Sequence, residues 1–315
     1  MFSRRLALAG LSSLALAPAL RAFPDRPLRL IVPFAPGGST DVAARFLAEA
    51  LGPLVGQSVI VENRAGANGA VASEAVIRSE ADGHVFLVAS ASTHGVNPAV
   101  ARRLDFDPIA DFAPVTMIGT TPLVLVASPA FGANRLDTLI ARLRSEPGKH
   151  SYASAGAGSI THLAGELFKL KAELNDVVHV PYRGGGPAMQ AVLTGEVAFT
   201  IESLASAASL IQGKRVVALA IGSPARQAVL PDVPTFAEAG LPGVELATWN
   251  MLLAPKATAP ERIDHVGRAV RAALASEALR ARLATAGTTA IADASSDQTG
   301  RYLAAQIEGL RAVAK

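Results

Sequence analysis

The chain has 315 residues, half of them apolar, 17% charged and 5% aromatic, and it contains no cysteine. That length fits two α/β lobes better than one small core, and the missing thiols exclude disulfides, iron–sulfur clusters and thiolate metal sites. The formal charge of +3 matches the three arginines of the first 22 residues, so it gives no support for nucleic-acid or anionic-membrane binding.

Arg4 and Arg5 precede an uncharged run from Leu6 to Leu20, and Ala22 follows as a small residue at a cleavage point. The run falls short of the ~20 residues that span a membrane, so residues 1–22 read as a signal peptide. Ser3-Arg4-Arg5-Leu6 also resembles a twin-arginine signal, which leaves the export route open. Removing this leader takes away three of the 29 basic residues and none of the 26 acidic ones. The remainder is formally neutral.

Beyond the leader, short apolar runs alternate with glycine- or serine-rich turns and amphipathic segments, the pattern of an α/β fold. Strands are predicted over 28–34, 58–62 and 84–89, with helices over 40–54 and 70–79. A second set begins near Pro122, with a strand over 123–127 and a helix over 136–144. The module then restarts: strand 150–155, helix 161–174, strand 177–182, the run Gly184-Gly185-Gly186, helix 187–193, and strands 197–201 and 216–221. Residues 230–243 are punctuated by proline and glycine and predict a surface loop. An apolar run over 246–254 leads to a tail, 260–314, of helical pattern that is expected to cover the first lobe.

Two segments echo each other as strand, glycine turn and helix start: residues 29–43, with Phe34, Ala35, Gly37, Gly38, Ser39, Thr40 and Asp41, and residues 151–164, with Ala155, Gly156, Gly158, Ser159, Thr161 and His162. A helix start leaves backbone N–H groups without intrahelical partners and turns the positive end of its dipole outward. Glycine lets a ligand approach the backbone, and the hydroxyls can cap the helix or donate to the ligand. Each junction alone also reads as an ordinary well-capped helix. One in each half suggests a clamp for a carboxylate across a cleft.

Neither turn has the lysine of a nucleotide P-loop or completes a dinucleotide fingerprint. The six histidines lack metal-ligand spacing, so no metal and no cofactor are predicted. Ser92 with His94, or Ser159 with His162, would be a nucleophile and base, but no nucleophile elbow accompanies either pair. His94 reads instead as a polar wall of the cleft or a surface side chain. Tyr182, Glu202, Ser203, Trp249 and Asn250 follow strands or sit where the chain would return between lobes, and the first four are counted with Ser92 and His94 as candidate cleft residues.

The segment Pro33-Phe-Ala-Pro-Gly-Gly-Ser-Thr-Asp-Val-Ala-Ala-Arg45 resembles the Bug family, the extracytoplasmic receptors of tripartite tricarboxylate transporters. Residues 61–69, 152–159, 162–168, 179–184 and 230–243 resemble the same family in the expected order, so the likeness covers essentially the whole chain beyond the leader. It implies a two-lobed periplasmic-binding-protein fold (type II, Venus-flytrap) with two crossing hinge strands, at 123–126 and 247–251. Lobe 1 would then comprise 23–122 and 252–315, and lobe 2 residues 123–251. The resemblance further implies a ligand carboxylate held by the turn 34–40 and met by the turn 155–161, often through ordered water.

A non-catalytic, periplasmic, monomeric receptor is the function this implies, with a small organic acid and membrane transporter subunits as partners and no nucleic acid. A ligand sensor for a signalling receptor, or an extracytoplasmic enzyme using His94 or His162 as base, are the alternatives. Where relatives commonly read Phe-Asp-Asn-Leu-Pro-Ser, this chain has Thr200-Ile-Glu-Ser-Leu-Ala-Ser206, and where they read Ser-Trp-Phe-Gly it has Thr248-Trp-Asn-Met251. Glu202 and Asn250 therefore set apart whatever holds the far end of the ligand.

Overall fold

The computed structural model describes residues 23–100 and 104–313; the leader predicted over 1–22 lies outside them. In chain order the elements are β1 (Leu28–Val32), α1 (Ser39–Val55), β2 (Val59–Asn63), α2 (Ala70–Ile77), β3 (Val85–Ser90), α3 (Asn97–Val100), β4 (Phe112–Ala127), α4 (Leu136–Ser145), β5 (Ser151–Ser154) and α5 (Ile160–Lys171). There follow β6 (Val178–Pro181), α6 (Gly185–Thr194), β7 (Phe199–Ser203), α7 (Leu204–Gln212), β8 (Val217–Ile221), β9 (Ala247–Pro255), α8 (Pro260–Ala275), α9 (Glu277–Thr285), β10 (Thr289–Ala290) and α10 (Ser296–Val313). The fold is mixed α/β.

The strands run in the order β2-β1-β3-β9-β4-β7-β5-β6, with β8 and β10 also on β4. Within each half the strands that carry crossover helices are parallel, β1 with β2 and β3, and β5 with β6 and β7. β3, inside the sheet, has all six residues buried, whereas β2 and β6 at the two ends of the strand order are only partly buried.

β4 is common to both halves. Its residues from Phe112 to Pro122 pair with β9, and those from Leu123 to Ala127 pair with β7. β9 lies wholly beside β3 and the first part of β4, so residues 247–251 belong to the first half's sheet. The return from the second half comes just before β9, where Leu123 N–H donates to Leu246 C=O at 3.0 Å.

Strand alternation sorts the core into layers. Leu28, Leu30 and Val32 of β1, Phe86 and Val88 of β3 and Leu252 of β9 pack under α1, α8 and α9. Ile31, Leu87, Met251 and Leu253 face the other way, toward α2 and α10. The C-terminal helices thus cover both faces of the first sheet. In the second half Val124 and Val126 meet α6 and α7, while Leu123, Leu125, Tyr152 and Phe199 meet α4 and α5. The loop 230–243 is docked along β8, with Leu230, Val233 and Phe236 buried and Phe236 N–H donating to Ile221 C=O at 3.1 Å.

Candidate functional site

β1 ends at Val32, and the turn Pro33 to Gly38 carries the chain into α1. Gly37 sits at φ +87°, a conformation that favours glycine. Gly38 is the N-cap, and no side chain caps the helix among the described residues. The first N–H groups of a 17-residue helix therefore open onto the space outside the strand ends, an arrangement that favours an anion.

Asp41 does not point into that space. Its carboxylate accepts from Gly37 N–H at 3.0 Å, Arg45 Nε at 3.0 Å and Asn63 Nδ2 at 2.8 Å, which ties the turn from behind. Burial alone would raise its pKa; the donors from Arg45, Gly37 and Asn63 outweigh that and hold it below the usual value. Gly37 N–H is occupied in the same way.

The start of α5 is differently built. Ser159 caps it, accepting from His162 N–H at 3.1 Å and donating to Gly156 C=O at 2.6 Å. Ile160 N–H donates to Ser92 Oγ of the other half at 3.0 Å, and Ala155 N–H to Thr161 Oγ1 at 2.8 Å. His162 Nδ1 accepts from Gly158 N–H at 3.2 Å, and its ring stacks on His179 at 4.1 Å. Ser159, His162 and Gly158 thus brace the turn, and the two helix starts are unequal: one is open and the other is closed by its own side chains and Ser92.

A third helix start joins them. α6 begins after Gly184 with no side-chain cap among the described residues, and Gly185 lines the cleft. The halves meet here. Ala35 N–H donates to Arg183 C=O at 3.0 Å, and a Cβ on Gly186 would stand 2.1 Å from Pro36 C=O, so only hydrogen fits. Asn68 Nδ2 adds a bond to Gly158 C=O at 2.8 Å. The sequence pattern placed the triple glycine between a strand and a helix without giving it a role; its position after a strand was the available signal.

Glu202 is the penultimate residue of β7, beside Gly185, and is 3% exposed. Its Oε1 accepts from Ser203 N–H at 2.8 Å and lies 3.5 Å from Ser206 Oγ. Its Oε2 is buried with no hydrogen-bond partner among the described residues. Burial pushes its pKa up to about 7, against the lowering pull of the Ser203 and Ser206 donors.

These parts come together around one narrow cleft. Of the predicted residues, Phe34, Gly38, Ser39, Thr40, Ser92, Ala155, Thr161, Glu202 and Ser203 line it; Ser90, Leu123, Ile160, Gly185 and Thr248 do so without having been predicted. Among the described lining residues Glu202 is the one ionisable side chain. A neighbouring hollow is lined by Phe34, Ala155, Gly156 and Tyr182 together with Asn68 and Arg183. The Tyr182 hydroxyl turns away to Glu196 Oε1 at 2.7 Å.

Two expected cleft residues lie elsewhere. Alternation along β9 turns Thr248 to the cleft and Trp249 to the opposite face, where its Nε1 donates to Gln306 Oε1 at 3.1 Å and its ring meets Tyr302. Asn250, on the same side as Thr248, stands behind the cleft and donates to Thr40 Oγ1 at 3.0 Å. His94 is fully buried against Phe106 and Phe112, with Nδ1 3.0 Å from Thr93 Oγ1. Burial drives its pKa down to about 3, so its ring is neutral.

Protein BugT of Bordetella pertussis is 40% identical over 289 residues, covering 91% of this chain and 87% of that protein. Among solved structures, Rpa4515 of R. palustris with adipate is 32% identical, with a TM-score of 0.88 over 93% of this chain and 97% of that one. MatC of Rhodopseudomonas palustris with bound malate is 31% identical, with a TM-score of 0.87 over 93% of this chain and 100% of that one. The family description "Tripartite tricarboxylate transporter family receptor" matches residues 43–315. With an α/β sheet shared by two halves, a cleft at the strand ends and these likenesses along most of its length, the chain belongs to the tripartite tricarboxylate transporter receptor family.

Proposed function

We propose that this protein is an extracytoplasmic receptor that captures a small organic carboxylate between its halves and delivers it to a tripartite tricarboxylate-type transporter. The carrying observation is the uncapped start of α1 opening onto the cleft. A carboxylate there meets the N–H groups of Ser39 and Thr40 and the hydroxyls around them, with no basic side chain among the described lining residues. Structural neighbours bound to adipate and malate support a carboxylate.

The ligand-facing set in this reading is Phe34, Gly38, Ser39 and Thr40 from one side and Ala155, Thr161, Gly185, Glu202 and Ser203 from the other. The hinge lies where β4 passes from Pro122 to Leu123 and where the chain returns at Leu246, two points joined by a hydrogen bond. Lobe 1 then comprises 23–122 and 247–315, and lobe 2 residues 123–246. The reading is of a periplasmic, non-enzymatic monomer: His94 is sealed in the core and His162 is tied to Gly158, which leaves neither placed as a base for a cleft-bound substrate.

Titration calorimetry and thermal shift against a panel of organic acids test the reading. Saturable binding of at least one carboxylate is expected, and no heat or stabilisation from any of them refutes it. Capture of transporter membrane subunits from solubilised membranes separates this role from that of a sensor.

A further inference from the structure

Glu202 faces the cleft, yet a carboxylate held at the start of α1 gives its acid group no partner. It lines the cleft beside two helix starts, those of α6 at Gly185 and α7 at Ser203. An ideal Cβ on Gly185 would lie 2.9 Å from Glu202 Oε1, and one on Gly38 3.4 Å from Gly185 N, so one glycine separates the acid from the open start of α1. Oε1 is already engaged as an acceptor by Ser203 N–H, while Oε2 is buried and unpartnered among the described residues.

We propose that Oε2 of Glu202 accepts a hydrogen bond from a cationic nitrogen of the ligand, so that the cleft takes a small ammonium-bearing carboxylate in preference to the same acid without nitrogen. This rests on the receptor reading above. A buried carboxylate needs a paired charge and donors, and no described lining residue supplies a cation. A ligand ammonium would supply one. The positive ends of α6 and α7 favour the ionised acid, the form that pairs with an ammonium. A plain dicarboxylate would instead place a second negative charge beside Glu202, or require the acid to keep its proton and donate it.

The two ligand types move protons in opposite directions. Burial holds the Glu202 carboxyl near pKa 7, so an ammonium beside it drives a proton off, while a carboxylate beside it draws one on. Glu202 is the one titratable side chain among the described lining residues; Ser203, Ser206 and Gly185 are its other close neighbours. The proton count therefore reports this group.

The test is calorimetry on the whole protein with matched pairs, L-aspartate against succinate, L-glutamate against glutarate and L-phenylalanine against 3-phenylpropionate. Measurements at pH 6.5 in buffers of different ionisation enthalpy count the protons. At least about tenfold tighter binding of the ammonium-bearing member of a pair, with proton release, is expected. Glu202→Gln replaces the free acceptor by an NH₂ donor of the same size and should remove or reverse that preference. Equal binding of both members, tighter binding of the plain acid, or proton uptake overturns the proposal while leaving carboxylate capture standing. No binding of any member overturns both if the wider acid panel also fails, and this proposal alone if another carboxylate binds. The proton count on the unmodified protein decides the matter even if the Gln variant does not fold.

Discussion

Replacing Glu202 by glutamine should make stability less dependent on pH, by an amount the structure supplies. Burial raises the Glu202 pKa from 4.5 to about 7. The folded protein therefore holds a proton there, between pH 4.5 and 7, that the unfolded chain has given up. The unfolded state binds fewer protons in that window, so stability falls as pH rises through it and stays lower above pH 7. At about 1.4 kcal/mol per pH unit, the loss amounts to about 3 kcal/mol by pH 8. Glutamine carries no charge and escapes it. Urea unfolding of both ligand-free proteins, from pH 4.5 to 8, should show the variant gaining about 3 kcal/mol on the original across the series. All other titrating groups cancel in the difference. Parallel stability–pH curves would show that the carboxyl is solvated or paired, and would remove the basis for assigning it a ligand nitrogen.

Gly186→Ala should keep the fold, since alanine suits a helix start better than glycine, yet its Cβ meets Pro36 C=O at 2.1 Å and props the halves apart. A larger radius of gyration by small-angle scattering with ligand present, and about tenfold or greater loss of affinity, is expected; an unchanged radius and affinity would contradict the closed contact. Asp41→Ala removes three donors' shared acceptor behind the turn and should cost about 2–3 kcal/mol of stability as well as weaken binding. Weakened binding at full stability would instead mark Asp41 as a ligand contact. Trp249→Phe should lose about 1 kcal/mol with its Gln306 bond while affinity stays within about twofold, because the indole faces away from the cleft; a large affinity loss at intact stability would place it in the site.

Much of the fold follows from local pattern. The strands at 28–32, 85–90 and 217–221 and the helices at 39–55, 136–145 and 160–171 stand within a few residues of their predicted places, because apolar periodicity and glycine punctuation act over neighbouring residues. The first part of β4, from Phe112 to Pro122, was not read as a strand. It contains Pro114, Gly119 and Pro122, and its register shifts beside Pro114 and Gly119, so its strand character comes from β9 alongside it.

The site divides the same way. That residues 34–40 form an open helix start was legible, since strand, glycine and hydroxyl lie next to one another in the chain. Which side chains reach the cleft was not. Trp249 and Thr248 are adjacent in sequence and point to opposite faces of one strand, and only pairing with β3 and β4 fixes which face is which. The glycines at 184–186 gain meaning only when Pro36 packs against Gly186, and the unpartnered oxygen of Glu202 exists only because folding buries it. The sequence by itself determined most of the elements and one open helix start, because those depend on contacts a few residues apart. The tertiary structure decided the second wall of the cleft and placed Glu202 on it, because close approaches such as that of Pro36 to Gly186 join residues far apart in the chain.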